Sequence, residues 1–368
     1  MSRVLLRWLP AVVVPVLIAG GTLAANAVTD ITLPTKTPDQ VVALVASDSV
    51  NAFSGTLQQS SDLGLPELPT TGPAAGAAGS MGASSADAAA ASALELLSGS
   101  HTARIYTDGP TKERVQVMDT LAERDLVRSG TELWLYDSQK ATATHVTLPS
   151  ASAKHADSTH SDSTVTTPAQ LAHKLLTNLT PSTTVSLGAN TSVAGHSAYD
   201  LVLTPRTSGT LIGSVSIAVD AQNGFPLSVA LTARGTKAPA FSVAFSDLSY
   251  QAPSADLFSF SPPAGTTVKQ QALPTKSQLQ ASAPSAGTTA KPVEKPIVTG
   301  TDWSTVVQLP AGTVQASLLK LPLLSQLTTS VAGGRVISTT LVNVLLTADG
   351  RVFVGSVPVA ALQAAAAG

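Results

Sequence analysis

Apolar positions along the chain recur with two different spacings, and the switch between them marks its organisation. Near the N-terminus the spacing is helical. Val41, Val42, Leu44 and Val45 give Lys36 to Ser49 an apolar side, Thr37 is placed to cap it, and Pro38 suits its first turn. Two more helices are predicted: Ala86 to Leu97, ending at Gly99, and Pro168 to Asn178, with Leu171, Leu175 and Leu179 on one side. Elsewhere the spacing is two. Strands are predicted over Phe53 to Gln59, His101 to Thr107, Glu113 to Met118, Leu121 to Arg128, Glu132 to Tyr136 and Ala141 to Leu148. Five more follow over Thr183 to Val193, Ala198 to Thr204, Gly213 to Val219, Pro226 to Ala233 and Ala240 to Tyr250. Asp108-Gly109-Pro110, Ser129-Gly130 and Asp220 to Gly224 are the turns between neighbours.

The alternation sorts residues by face. Val115 and Val117 share one; so do Val215, Ile217 and Val219; so do Leu227, Val229 and Leu231; so do Phe241, Val243 and Phe245. One sheet face is apolar and the other polar. Sequential hairpins with few intervening helices predict a mainly β, α+β fold: an unclosed antiparallel barrel with helices covering one side.

The ends read differently. Arg3 and Arg7 precede an apolar run from Trp8 to Ala25, which closes on Ala25-Asn26-Ala27, an A-x-A exit for a signal peptidase. Residues 1–27 are read as a signal peptide cut after Ala27, with an uncleaved anchor as the alternative, since the run is near the length that crosses a bilayer. Residues 28–268 form the half-barrel. Gly64 to Ser85 is a Pro/Gly/Ala-rich loop and His155 to Thr167 a polar one. Residues 269–299 lie in a stretch from Thr267 to Thr299 rich in Pro, Ala, Ser, Thr, Lys and Gln, read as a disordered linker. Residues 300–368 form a small C-terminal module: a strand over Trp303 to Leu309, a helix over Val314 to Leu324, and a hairpin of Val336 to Leu346 with Arg351 to Val357 through Ala348-Asp349-Gly350. It is small for an independent core and is expected to pack on the barrel or on a partner.

Composition narrows the function. Lys+Arg 21 against Asp+Glu 23 leaves a net charge of −2, without the basic concentration that nucleic acid or an anionic membrane surface requires. The chain has no cysteine, so it carries neither disulfide nor lipobox and is not itself a lipoprotein. Its bias towards Ala, Thr, Ser, Val, Leu and Gly resembles that of high-GC actinobacterial proteins.

No Gly-x-Ser-x-Gly, Walker A, dinucleotide or His-Glu-x-x-His motif occurs. Ser317-Leu318-Leu319-Lys320 fits S-x-x-K without its companion motifs, and an amphipathic helix explains it. His155, Asp157, His160 and Asp162 share one polar loop that lacks supporting residues for a metal. No catalytic residue, metal or cofactor is expected.

Five stretches in order carry a family resemblance. They are DGPTKERVQV (Asp108 to Val117), DLVRSGTELWLYD (Asp125 to Asp137), VAGHSAYDLVLTPR (Val193 to Arg206), SVSIAVDAQNGFPLSVAL (Ser214 to Leu231) and DLFSFSPPAGTTV (Asp256 to Val268). Together the chain from Asp30 to Val268 resembles LolA-type lipoprotein carriers and the N-terminal part of RseB (MucB)-type regulators. The resemblance implies an open barrel capped by helices, and binding of acyl chains or lipid-modified polypeptides in place of catalysis. In the carrier a basic residue beside the first hairpin's Pro helps hold the lid; here the turn reads Asp108-Gly109-Pro110, and that control is not carried over. The ligand-facing concavity is expected to be lined by Val115, Val117, Trp134, Tyr136, Val215, Ile217, Val229, Phe241 and Phe245. Trp134 and Tyr136 fit a pocket wall and a sheet core equally, because rings dominate both. The expectation is an exported, monomeric binding protein on the outer side of the cytoplasmic membrane. It would act on lipid or lipoprotein acyl chains as carrier or sensor, or as an RseB-like module on a membrane anti-sigma factor.

Overall fold

The computed structural model describes residues 31–64, 99–119, 122–148, 166–177, 181–272, 296–312 and 327–368. Two helices precede or interrupt the strands: α1 (Pro38–Ala46) and α2 (Pro168–Thr177). Both begin with the same four-residue pattern, Thr37-Pro38-Asp39-Gln40 and Thr167-Pro168-Ala169-Gln170. In each the threonine hydroxyl accepts the glutamine N–H, at 3.3 and 3.1 Å, while the glutamine carbonyl oxygen accepts the threonine N–H, at 2.8 and 3.1 Å. This reciprocal pair satisfies two otherwise orphaned donors at each helix start, with Pro supplying the fixed φ of the first turn.

The first sheet takes β1 (Ala52–Ser61), β2 (Gly99–Asp108), β3 (Lys112–Asp119), β4 (Ala122–Ser129), β5 (Glu132–Asp137) and β6 (Thr142–Thr147). It continues with β7 (Thr183–Leu187), β8 (Thr191–Val193), β9 (His196–Pro205), β10 (Ile212–Asp220), β11 (Pro226–Ala233), β12 (Pro239–Ser249) and β13 (Thr267–Ala272). The order is β13-β6-β5-β4-β3-β2-β1-β12-β11-β10-β9-β7, with β8 paired to β9. All pairings but one are antiparallel, and among the described strands the sheet does not close. The mainly β, open architecture expected from the alternation is therefore present.

Several expectations about strands need correction. Thr183 to Val193 is two strands, because the link between β7 and β8 turns away to pair Thr191–Val193 back on β9. The stretch read as linker begins and ends in strands. Thr267–Ala272 runs parallel to β6, with Thr267 N–H donating to Ala141 O at 2.8 Å. Its Lys269, Gln270 and Gln271 suit a sheet edge, where backbone pairing supplies what apolar burial does not. Val336 to Leu346 is two strands broken at Thr339. That hydroxyl accepts the N–H groups of Leu341 and Val342 and turns the chain.

The C-terminal module is a second sheet of β14 (Ile297–Thr299), β15 (Val306–Leu309), β16 (Thr329–Val331), β17 (Gly334–Ser338), β18 (Asn343–Thr347) and β19 (Val352–Gly355). Its order is β14-β15-β19-β18-β17-β16. Trp303 sits in a short 3-10 turn, not in the strand expected there. A helix the sequence pattern did not predict, α3 (Val359–Ala367), buries Leu362 against Val306, Leu345, Phe353 and Val357. Its run of alanines has no apolar side to read, although alanine favours helix strongly. The module also packs on the first sheet, as expected for so small a core. Trp303 Nε1 donates to Thr183 Oγ1 at 2.8 Å, Leu211 N–H and Thr210 Oγ1 both donate to Ser356 O at 2.8 Å, and Thr340 N–H donates to Leu63 O at 3.1 Å. Leu341, 4% exposed, belongs to the first sheet's core. The signal segment with Ala25 and Ala27, the helices read over 86–97 and 314–324, and residues 155–162 and 317–320 lie outside the described residues.

Candidate functional site

Pairing registers assign every strand residue of the first sheet to a face. On one face lie Leu201 and Leu203 of β9, Val215 and Ile217 of β10, and Val229 of β11. The same face continues through Val243 and Phe245 of β12 and Leu57 of β1 to Ile105 of β2 and Val115 of β3. Helices α1 and α2 cover its β7–β12 part with Val41, Val45 and Ala172, all fully buried. Phe53, Phe225 and Phe245 meet at its centre, with ring centroids 5.1 to 5.9 Å apart.

One close approach fixes α1 over this face. In the hairpin between β10 and β11, Gly224 has φ +82°, and a Cβ there would lie 2.2 Å from the Leu44 carbonyl oxygen at the end of α1. Only glycine serves both needs. Asp220, buried at 1% exposure, starts the same hairpin: its Oδ1 accepts the Gln222 N–H at 2.8 Å and its Oδ2 the Tyr250 hydroxyl at 2.6 Å. Burial and then the Asp220 carboxylate hold the Tyr250 hydroxyl well above its ordinary value, so it stays a donor.

The nine residues expected to line a concavity divide. Val115, Val117, Val215, Ile217, Val229 and Phe245 are on the helix-covered face, each at most 4% exposed, and Phe241 packs beside them partly buried. In the helix-covered half this face is filled, a core and not a pocket. Trp134 and Tyr136 are on the opposite face, because Trp134 pairs with Val127, which pairs with Arg114, while Val115 pairs with Leu126, which pairs with Leu135. The single concavity joining all nine is corrected accordingly. The two rings instead meet Phe260 at 5.4 and 5.7 Å, and Trp134 stacks on His145 at 4.2 Å.

The chain segment after β12 makes that second cover. It crosses β3 to β5 as a strap carrying Phe258, 3% exposed, and Phe260, before adding β13 to the edge. Arg114 holds it: the guanidinium grips Asp125 through two bonds of 3.1 and 2.6 Å and donates a third to Leu257 O at 3.3 Å. Burial pushes the Asp125 carboxyl above the ordinary carboxylate value, and Arg114 opposes this only in part.

Among the described residues, the least covered part of the helix-side face is its far end. The apolar row through Val115 continues to Leu126, partly buried, and to Leu135, 38% exposed, with half-buried Leu133 beside it. Charged residues rim it: Glu113 and Arg128 on one side, Arg124 and Asp137 on the other. Burial raises the Glu113 carboxyl, with Arg128 opposing. The sequence held a sign of this row. Leu133-Trp134-Leu135-Tyr136 is continuously apolar, the mark of a strand that presents apolar groups on both faces, and the rings drew attention to only one. Among the described residues no group of three His, Asp or Glu side chains is placed to hold a metal, and no helix is long and apolar enough to cross a membrane.

Among the described residues the arrangement is that of an open sheet with two differently covered faces, an apolar row that is partly accessible, and no convergent reactive groups. No family model and no curated protein matches the chain. Among solved structures it is similar to MucB, at 18% identity over 90% of this chain and 96% of that one, with a TM-score of 0.37. It is also similar to the Pseudomonas aeruginosa MucA/MucB complex structure, at 15% identity over 89% and 96%, with a TM-score of 0.38. A LolA superfamily protein from Nitrosomonas europaea aligns at 10% identity over 61% of this chain and 99% of that one, with a TM-score of 0.24. Likenesses this distant do not assign the chain to a family.

Proposed function

We propose that the chain is an extracytoplasmic binding protein for a hydrophobic ligand, the acyl chain of a lipid or lipoprotein, acting as carrier or sensor and not as an enzyme. One observation carries this reading: the apolar face of the first sheet runs out from under its helices as Leu126, Leu133 and Leu135, flanked by charged rims. An exposed apolar row continuous with a core supplies area for an alkyl chain at about 25 cal/mol per Å² buried. The five motif resemblances and the signal-like N-terminus agree with it.

The test joins two measurements. Native mass spectrometry of the chain from cells is expected to find retained lipid. A fluorescent fatty-acyl probe is expected to bind wild type and to lose affinity roughly tenfold in Leu135→Glu, which places a charge in the row. A chain that never retains lipid, and an unchanged probe affinity in Leu135→Glu, would remove the reading.

A second reading, an RseB-like module on the outer part of a membrane anti-sigma factor, is favoured by the C-terminal sheet. Its edge strand β14 leaves Ile297 and Val298 exposed at 52% and 62%. Cross-linking in membranes is expected to capture a membrane protein with wild type and not with Ile297→Lys/Val298→Lys. Equal capture by both, or none by either, counts against it.

A further inference from the structure

The first sheet carries a second recess, on the face opposite α1 and α2 and away from the strap. Its floor is built from paired short side chains. Ala218 pairs with Asp200 on one side and Ser228 on the other, and Ser216 pairs with Ala230. The link from β7 to β8 rises beside them as a wall, bringing Asn190 and Thr191. The depression is open and has a volume of about 360 Å³, within the range of small-ligand sites.

Every polar side chain that lines it can accept a hydrogen bond. Asp200 Oδ1 accepts the Ser216 hydroxyl. Gly188 lies so close to Oδ2 that a Cβ would fall 2.3 Å from it, so backbone shields the carboxylate on that side. Asn190 donates one of its two amide N–H groups to Ile31 O at 2.9 Å, and its carbonyl oxygen can accept. Ser228 and Thr191 add hydroxyl oxygens. The site therefore offers acceptors, one of them charged, around an alanine floor. Burial raises the Asp200 carboxyl; among the described residues the Ser216 hydroxyl is the one group that lowers it, and no cation contributes. A half-buried carboxylate without a counter-charge calls for a cationic donor. Among the described residues no aromatic ring lines the recess, which disfavours a quaternary ammonium held by cation–π attraction and favours one that donates hydrogen bonds.

We propose that this depression binds a small amine through its primary ammonium group, with Asp200 as the anionic partner, Asn190 and the hydroxyls as further acceptors, and Ala218 and Ala230 under the alkyl part. The site is independent of the acyl-chain row, which lies on the other face.

The test is a methyl NMR titration of the purified full-length chain with n-butylammonium, with sodium and tetramethylammonium as controls. The Ala218 and Ala230 methyl signals are expected to move and saturate with a Kd on the order of 10 mM, as a few polar contacts on one ammonium give. Tetramethylammonium is expected to move them little. Asp200→Asn keeps the shape and the Ser216 contact and is expected to weaken binding roughly tenfold, the loss of a charge-assisted bond. Ser228→Leu keeps the carboxylate, fills the floor and is expected to abolish binding; it stands in if Asp200→Asn does not fold. Methyl signals that respond equally to sodium and butylammonium, or an Asp200→Asn (or Ser228→Leu) chain that binds as wild type does, would overturn the proposal.

Discussion

Replacing Arg114 by Met isolates what holds the strap. In the native chain the guanidinium is 20% exposed and the Asp125 carboxylate 2% exposed, joined by two hydrogen bonds, with a third from Arg114 to the strap at Leu257. Arg114→Met keeps most of the aliphatic volume and deletes all three bonds. It leaves a buried carboxylate without a partner, which costs about 3–5 kcal/mol. That is a large part of a typical stability of about 5–15 kcal/mol. With a urea slope of about 3 kcal/mol per M, the midpoint should fall by roughly 1–1.7 M at pH 7.

The loss should depend on pH, and the sign follows from Asp125. Its folded value lies above the ordinary 3.8 because of burial. The folded state therefore favours the protonated acid; that contribution is fully present below 3.8 and is lost as pH rises through the folded value. Without Arg114 burial acts unopposed and the folded value rises further. The difference between variant and wild type should thus shrink towards pH 4 and be largest near pH 7. Urea titrations followed by circular dichroism at both pH values check it, and fluorescence of Trp134, which the strap's Phe260 contacts, reports the strap itself. A loss under about 1 kcal/mol at pH 7, or an equal loss at pH 4 and 7, would refute the reasoning.

Gly224→Ala should destabilise by at least about 2 kcal/mol, from the left-handed φ and the clash with the Leu44 carbonyl, as measured by thermal unfolding. Phe245→Ala should cost about 3–5 kcal/mol, because it empties the meeting point of Phe53 and Phe225. Leu135→Ala, at 38% exposure, should change stability by under about 1 kcal/mol while weakening acyl-probe binding, the separation expected of a contact surface. Thr37→Ala should remove about 1 kcal/mol through loss of the α1 cap, and Thr167→Ala a similar amount at α2.

Much of the architecture was legible because period-two alternation and turn residues are local signals. Asp108-Gly109-Pro110, Ser129-Gly130 and Asp220 to Gly224 all mark hairpins in the structure. β13 was not legible, since a polar edge strand draws its order from β6 and not from its own composition. α3 was missed because alanine shows no periodicity. The site was harder. Alternation says that Val115 and Trp134 each share a face with near neighbours, but only the register across β3, β4 and β5 shows that the two faces differ. A shift of one residue in one hairpin reverses that assignment. Whether an apolar face is filled or open depends on what distant segments lay over it, which no local pattern encodes.

The position of β1 between β2 and β12 bears on how the chain acquires its shape. The strands from β2 to β6 form one meander and those from β9 to β12 another, each able to pair between near neighbours, while β1 must meet β12 across nearly two hundred residues. Loop-closure entropy makes that seam the late and slow event of folding. The seam is also sterically exacting: at Gly55 a Cβ would fall 2.6 Å from the Asp247 carbonyl oxygen and 2.8 Å from the Phe245 ring, beside the register shift at Thr56/Leu57. A chain emerging N-terminus first holds β1 without one partner until β12 arrives, so the interval before closure leaves the backbone N–H and C=O groups of that strand edge unpaired.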